Sequence, residues 1–172
     1  MAYPTTLAFK SSQPGFIGAQ QLTVTDTTQR HPLGQKMKFI DPTYGEITAI
    51  YLKGVAATAA GDLVLYDPKA GTTTRIVAAS RGPIAVAMSA NIANQFGWYA
   101  IEGVVPVNTT AAGTGAANAG LATTATAGQA TVRGTAGQSI DGLICKSAQD
   151  GPGAGFTDVE LHYPCANGID AS

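Results

Sequence analysis

The groups in this chain best able to do chemistry are few: His31 and His162, Cys145 and Cys165, and the carboxylates Asp158 and Glu160. Neither histidine has a Ser or Cys near it in a nucleophile setting such as G-x-S-x-G. His31 precedes Pro32 in a proline-rich stretch, and His162 falls on the outward side of an alternating run. The tetrad His162-Tyr163-Pro164-Cys165, with Cys145 or Asp158, is a loose metal-binding set, but it lacks the paired C-x-x-C or H-x-H spacing of zinc sites. Asp158 and Glu160 would lie about 7 Å apart on one strand face. That fits a solvated face better than an acid–base dyad, because nothing around them reads as a sugar cleft. Gly151-Pro152-Gly153-Ala154-Gly155 has G-x-G-x-G spacing, but no Lys and no helix follows, so it reads as a turn rather than a phosphate cradle. Asp150 beside it lacks the several spaced oxygens of a calcium loop. We therefore expect no catalytic residue, no cofactor and no metal, and a chain that is not an enzyme.

The residues left to explain are aromatic and neutral. Phe96, Trp98 and Tyr99 cluster in one run, as the core of a small barrel does. The rival reading makes Trp98, Tyr99 and Tyr51 an exposed platform for carbohydrate. Charged residues make up only 12% of the 172 residues, against about 25% in ordinary globular proteins. Thr, Ala, Gly, Ser, Asn and Gln take their place, and such a surface costs little to desolvate. It suits a protein covered by neighbours. The net charge of -1 argues against nucleic acid as a direct partner. No apolar run approaches the ~20 residues of a membrane span. Met1-Ala2-Tyr3-Pro4 has no basic start and no apolar stretch behind it, so no signal peptide is expected. Synthesis in the cytoplasm follows. Two cysteines make no disulfide framework, and Cys145, in the run Gly142-Leu143-Ile144-Cys145, reads as a small buried hydrophobe.

The elements that would position these residues are strands. Residues 1–44 carry Pro4, Pro14, Pro32 and Pro42 and show no helical period. They read as an extended arm with one short strand, Gln21 to Thr25. Tyr3, Leu7, Phe9, Phe16 and Ile17 are the arm's candidate interface residues, since solvated tails are poor in aromatics. Residues 45–172 read as a β-barrel or β-sandwich domain. Strands are expected at Glu46–Leu52, Leu63–Tyr66, Thr72–Val77, Ile84–Met88, Phe96–Val107, Gln129–Val132, Ile140–Lys146 and Phe156–Tyr163. Gly103 and Pro106 mark a bulge or an edge. In the last strand Val159, Leu161 and Tyr163 should point inward and Asp158, Glu160 and His162 outward. An Ala/Thr/Gly-rich insertion at about 108–138 is either a subunit-contact loop or extra strands, or else a floppy surface segment. The fold class is all-β.

Three of these segments carry a resemblance. Ala60-Gly61-Asp62-Leu63-Val64, then Gly82-Pro83-Ile84-Ala85-Val86-Ala87, then Tyr99 to Val107 with its Gly103-Val104-Val105-Pro106-Val107 end, resemble the head decoration (capsid cement) proteins of tailed bacteriophages. That family often pairs a G-D-x-V strand with an I-G-V-A strand and an x-x-G-V-V-x-V strand; here Pro83 and Ala85 depart from the pattern. The resemblance spans about Ala60 to Val107, with a weaker echo to Lys146. It implies binding to the outer face of a capsid, holding major capsid protein subunits together, as a homo-oligomer, a trimer rather than a dimer. The place of action would be the virion surface. The family offers no catalytic residue to carry over. Other expectations are a different virion part, such as a tail tube or head fibre, and the carbohydrate-binding β-sandwich.

Overall fold

Alternation of period two begins earlier than the proline-rich start implies. Lys36-Met37-Lys38-Phe39-Ile40-Asp41 alternates exposed with buried side chains and forms β1 (Lys36–Asp41). The structure is a computed structural model that describes residues 20–110, 117–133, 138–146 and 155–170. β1 pairs antiparallel with β2 (Gly45–Lys53), Lys36 opposite Ile50 and Asp41 opposite Gly45. The strand expected at Gln21–Thr25 is instead a turn, closed by Val24 N–H to Gln21 O at 3.2 Å and followed by a single bridge from Asp26 to Phe96. Leu22, Met37 and Phe39 are all buried in the main core. Residues 20–44 thus belong to the body of the domain and are not part of an arm.

The remaining strands follow in chain order. They are β3 (Leu63–Tyr66), β4 (Thr73–Arg75), β5 (Gly82–Ala87), β6 (Phe96–Thr109), β7 (Gly120–Thr123), β8 (Ala130–Val132), β9 (Gln138–Cys145) and β10 (Gly155–Asp170). The fold is all-β, as expected from sequence, and the Ala/Thr/Gly-rich segment supplies β7 and β8. Leu121, Ala122 and Ala130 from these two strands are buried. The sheet runs β1-β2-β6-β8-β7-β9-β10-β5-β3-β4, and it closes because β6 also pairs with β10 and with β5. One ring is β6-β8-β7-β9-β10. Its seam is the parallel pair Thr109–Ala130, reinforced by Thr110 N–H to Ala130 O at 2.9 Å. A second group, β2-β6-β5-β3-β4, is drawn round by Lys53 N–H to Gly71 O at 2.8 Å and a bridge from Lys53 to Thr72.

Two cores result, and the central strands serve both. Trp98 and Ala100 of β6 enter the larger cluster with Tyr51, Val86, Val105, Leu143, Val159 and Leu161. Tyr99 and Ile101 enter a smaller one with Ile50, Leu52, Val64, Ala85 and Ala87. Burial on both faces explains why β2, β3, β5 and the first half of β6 read as nearly unbroken apolar runs. Each large side chain so buried contributes about 1.5–3 kcal/mol.

β6 changes face midway. Thr48 pairs with Glu102 but Ala49 with Ala100, so Ile101 is an extra residue on β6. Beyond this bulge the larger core receives Val105 and Val107, odd positions, in place of the even Trp98 and Ala100. Gly103, at φ 105°, makes the step possible. A Cβ there would sit 2.5 Å from Glu46 O, so the neighbouring backbone can approach only a glycine.

Candidate functional site

Two buried polar clusters anchor the strands. In the first, Trp98, Tyr51 and Tyr99 are all 0% exposed. The aromatic platform proposed for carbohydrate is therefore inside the protein, and that expectation is overturned. Trp98 Nε1–H donates to Gln20 O at 2.9 Å, and the Tyr51 hydroxyl donates to Gln20 Oε1 at 2.7 Å. His31 packs between these rings, with centroids 5.0 Å from Tyr51 and 5.2 Å from Trp98. Its Nε2 accepts from Gln20 N–H at 3.2 Å. Burial first, and the Arg30 charge second, hold His31 below its ordinary pKa. It is a neutral acceptor that pins residues 20–31 to the barrel.

The second cluster centres on Asp62, the acid of the Gly61-Asp62-Leu63-Val64 run, which is 0% exposed. Its Oδ2 accepts from Ala59 N–H at 3.0 Å and from Arg75 Nε at 3.0 Å; Oδ1 accepts from Asn108 Nδ2 at 3.0 Å. Arg75 Nη2 also donates to Ala127 O at 2.7 Å. One carboxylate so joins the start of β3, β4, the end of β6 and the β7–β8 turn. Gly128 lets that turn come close, since a Cβ there would lie 2.7 Å from the Asp62 carboxyl. This is a structural staple; each of its donors is already committed.

The outward face of β1, β2, β6 and β10 carries the candidate site. Lys38 pairs with Thr48, Thr48 with Glu102 and Glu102 with His162, so the four side chains form one row across four strands. Lys38 Nζ contacts Glu46 Oε1 at 2.6 Å. Thr48 Oγ1–H donates to Glu102 Oε2 at 2.8 Å. Lys146 bonds Glu160 at 2.6 Å, and His162 Nε2 lies 3.2 Å from the same carboxylate. Lys146 foremost keeps the Glu160 carboxyl below its usual range. Asp158, Glu160 and His162 face outward as expected, and Val159 and Leu161 are buried.

Tyr163 does not follow them inward. It is 53% exposed. Its backbone sits at φ 47°, where a bulky side chain is rare, and the β9–β10 register shifts between Leu161 and Cys165. The kink turns the ring out onto the sheet face. There the hydroxyl is 3.4 Å from Glu102 Oε2, and Lys36 Nζ stands 5.0 Å from the ring centroid. Lys36, Met37, Lys38, Thr48, Glu102 and Tyr163 line an open recess of about 230 Å³. Sequence reasoning missed it. No local signal marks it, since a residue before proline, as Tyr163 is, favours extended backbone rather than φ 47°.

The sequence-nominated chemistry is dispersed. Cys145 is buried in the larger core, and burial pushes its thiol up. His162 is on the opposite, outward face. Among the described residues, no three His, Cys, Asp or Glu side chains gather to hold a metal ion. Also among the described residues, no helix is long and apolar enough to cross a membrane. Tyr3, Leu7, Phe9, Phe16 and Ile17, and most of the Gly151–Gly155 turn, lie outside the described residues. No protein-family model matches the chain, and neither curated proteins nor solved structures yield a match.

Proposed function

We propose that this chain is a non-enzymatic structural protein of a phage virion that binds the outer surface of the capsid and stabilises contacts between major capsid protein subunits. The observation that carries the reading is a pair of neighbouring loops that expose small apolar side chains, with Lys53 the one charged residue lining the recess they share. A bridge from Thr58 to Asn91 holds two loops together. Between them they expose Ala56, Ala57, Ala59, Ala90, Ile92, Ala93 and Asn94. Ile92 at the tip is 63% exposed. Small apolar side chains shed water at little cost, and a projecting Ile is an anchor for a partner's pocket. The low charge of the whole chain and the resemblance of the Ala60–Val107 strands to decoration proteins point the same way. Trimeric self-association belongs to the same reading.

Ile92→Asp tests it. The substitution places a charge at an exposed loop tip, where the fold should tolerate it. Occupancy on purified empty shells should fall about tenfold or more with Tm unchanged. Unchanged occupancy, or no binding of the unaltered chain to shells, would remove the reading.

A further inference from the structure

We infer that the recess at Tyr163 is a binding site for a neutral saccharide, taking one sugar ring at a time. The inference does not depend on capsid attachment. The site lies six residues along β6 from the strand's first residue Phe96, about 20 Å by strand rise.

Three features point to such a ligand. The first is mixed polarity with no net charge. Lys36 and Lys38 supply ammonium donors, Glu102 a carboxylate acceptor through Oε1, and the Thr48 and Tyr163 hydroxyls, whose hydrogens are directed at Glu102 Oε2, further acceptors. Glu46 is bound to Lys38, so two lysines stand beside two glutamates. A phosphate or sulfate would meet Glu102 without a surplus of positive field. Neighbouring sugar hydroxyls, each donor and acceptor at once, match the set. The second is the Tyr163 ring, more than half exposed. It gives the apolar C–H face of a sugar a surface, with a polar tip beside it. The third is the backbone. An aromatic residue at φ 47° is costly, and strain of that kind persists where the surroundings impose it, commonly at ligand sites. Here β9 imposes it. Gly142, itself at φ 75°, packs so tightly that a Cβ would lie 2.5 Å from His162 O and 3.3 Å from Pro164 Cα. The kink thus holds Tyr163 off the core and over Glu102. A volume of about 230 Å³ lies below the ~300–1,000 Å³ of drug-sized pockets, which limits the occupant to a single ring of a chain or its end.

The test uses the full chain on an array of immobilised neutral and sulfated glycans, followed by NMR titration of the best binder. Tyr163→Gly is the diagnostic variant, since it removes the ring while accepting the positive φ without strain. Glu102→Gln removes the charge and keeps the shape. The expected result is binding that Tyr163→Gly weakens about tenfold or more, with a melting temperature equal to or above that of the parent. Amide shifts should centre on β1, β2 and the β10 kink. An array with no neutral glycan bound would overturn the inference. So would binding that Tyr163→Gly leaves intact, or binding confined to sulfated glycans and abolished by salt.

Discussion

Removing the Arg75 guanidinium should be among the more damaging substitutions available at a partly exposed position. Arg75→Met keeps most of the side-chain length but takes Nε and Nη2 away from Asp62, each at 3.0 Å. Asp62 stays 0% exposed and charged, with only Ala59 N–H and Asn108 Nδ2 left to it. Ala127 O loses its donor as well. Stripping one partner from a buried pair costs about 3–5 kcal/mol, and the lower end applies because water can partly reach the site. The Arg75 side chain is 28% exposed. A loss of about 3 kcal/mol lowers Tm by about 6–12 °C in a chain of this size. Thermal melts followed by circular dichroism, with urea titration as a second measure, read this directly. The double variant with Asp62→Ala should cost about 2 kcal/mol less than the sum of the two singles, since the orphaned charge is then gone. A Tm drop under about 2 °C for Arg75→Met, or strict additivity, would show that the cluster does not staple the strands.

Three further outcomes follow from the geometry. Gly103→Ala meets both a positive φ and the Glu46 carbonyl 2.5 Å from the new Cβ, so a loss of at least about 2 kcal/mol is expected in urea unfolding. His31 is held below its ordinary value of 6.5 by burial and by Arg30. Protons therefore bind the unfolded chain first as pH falls. Its contribution is complete above about pH 6.5 and is lost as pH drops through the window beneath it. Replacing His31 with Gln should flatten that part of a stability–pH curve; an unchanged slope would clear His31 of the role. Ser89 Oγ is buried and makes no hydrogen bond among the described residues, so Ser89→Ala should leave stability equal or raise it by up to about 1 kcal/mol in the same titration. A clear loss would contradict that.

Most of the strands were legible because burial on two faces leaves long apolar runs, as in Ile84-Ala85-Val86-Ala87. The bulge in β6 was legible too, since Gly103 interrupts a run that otherwise has no reason to hold a glycine. β1 was not. Its alternation is clear, but Pro32, Gly34 and Pro42 around it signal irregular chain, and the prolines in fact only bound the strand. The outward turn of Tyr163 was hidden for a different reason. Alternation along Val159, Leu161 and Tyr163 predicts burial unless a backbone kink intervenes, and that kink depends on Gly142, twenty-one positions away in sequence and across the sheet. The recess is a product of register between strands, so no local pattern marks it.

The double use of β6 has a consequence for how the chain must be made. Val105 and Val107 can be covered only when β10, some fifty residues later, lies down beside them. Strands β1 to β5 and the first half of β6 can associate with one another as soon as they leave the ribosome, save for the short pairing of β5 with β10 at Gly82 and Pro83. The ring cannot, since its first strand waits for its last. Pairing over such separations is slow, typically milliseconds to seconds, and the second half of β6 spends that interval as an open apolar edge. Crowded synthesis of many copies should therefore favour strand exchange at this edge over any other misfolding route.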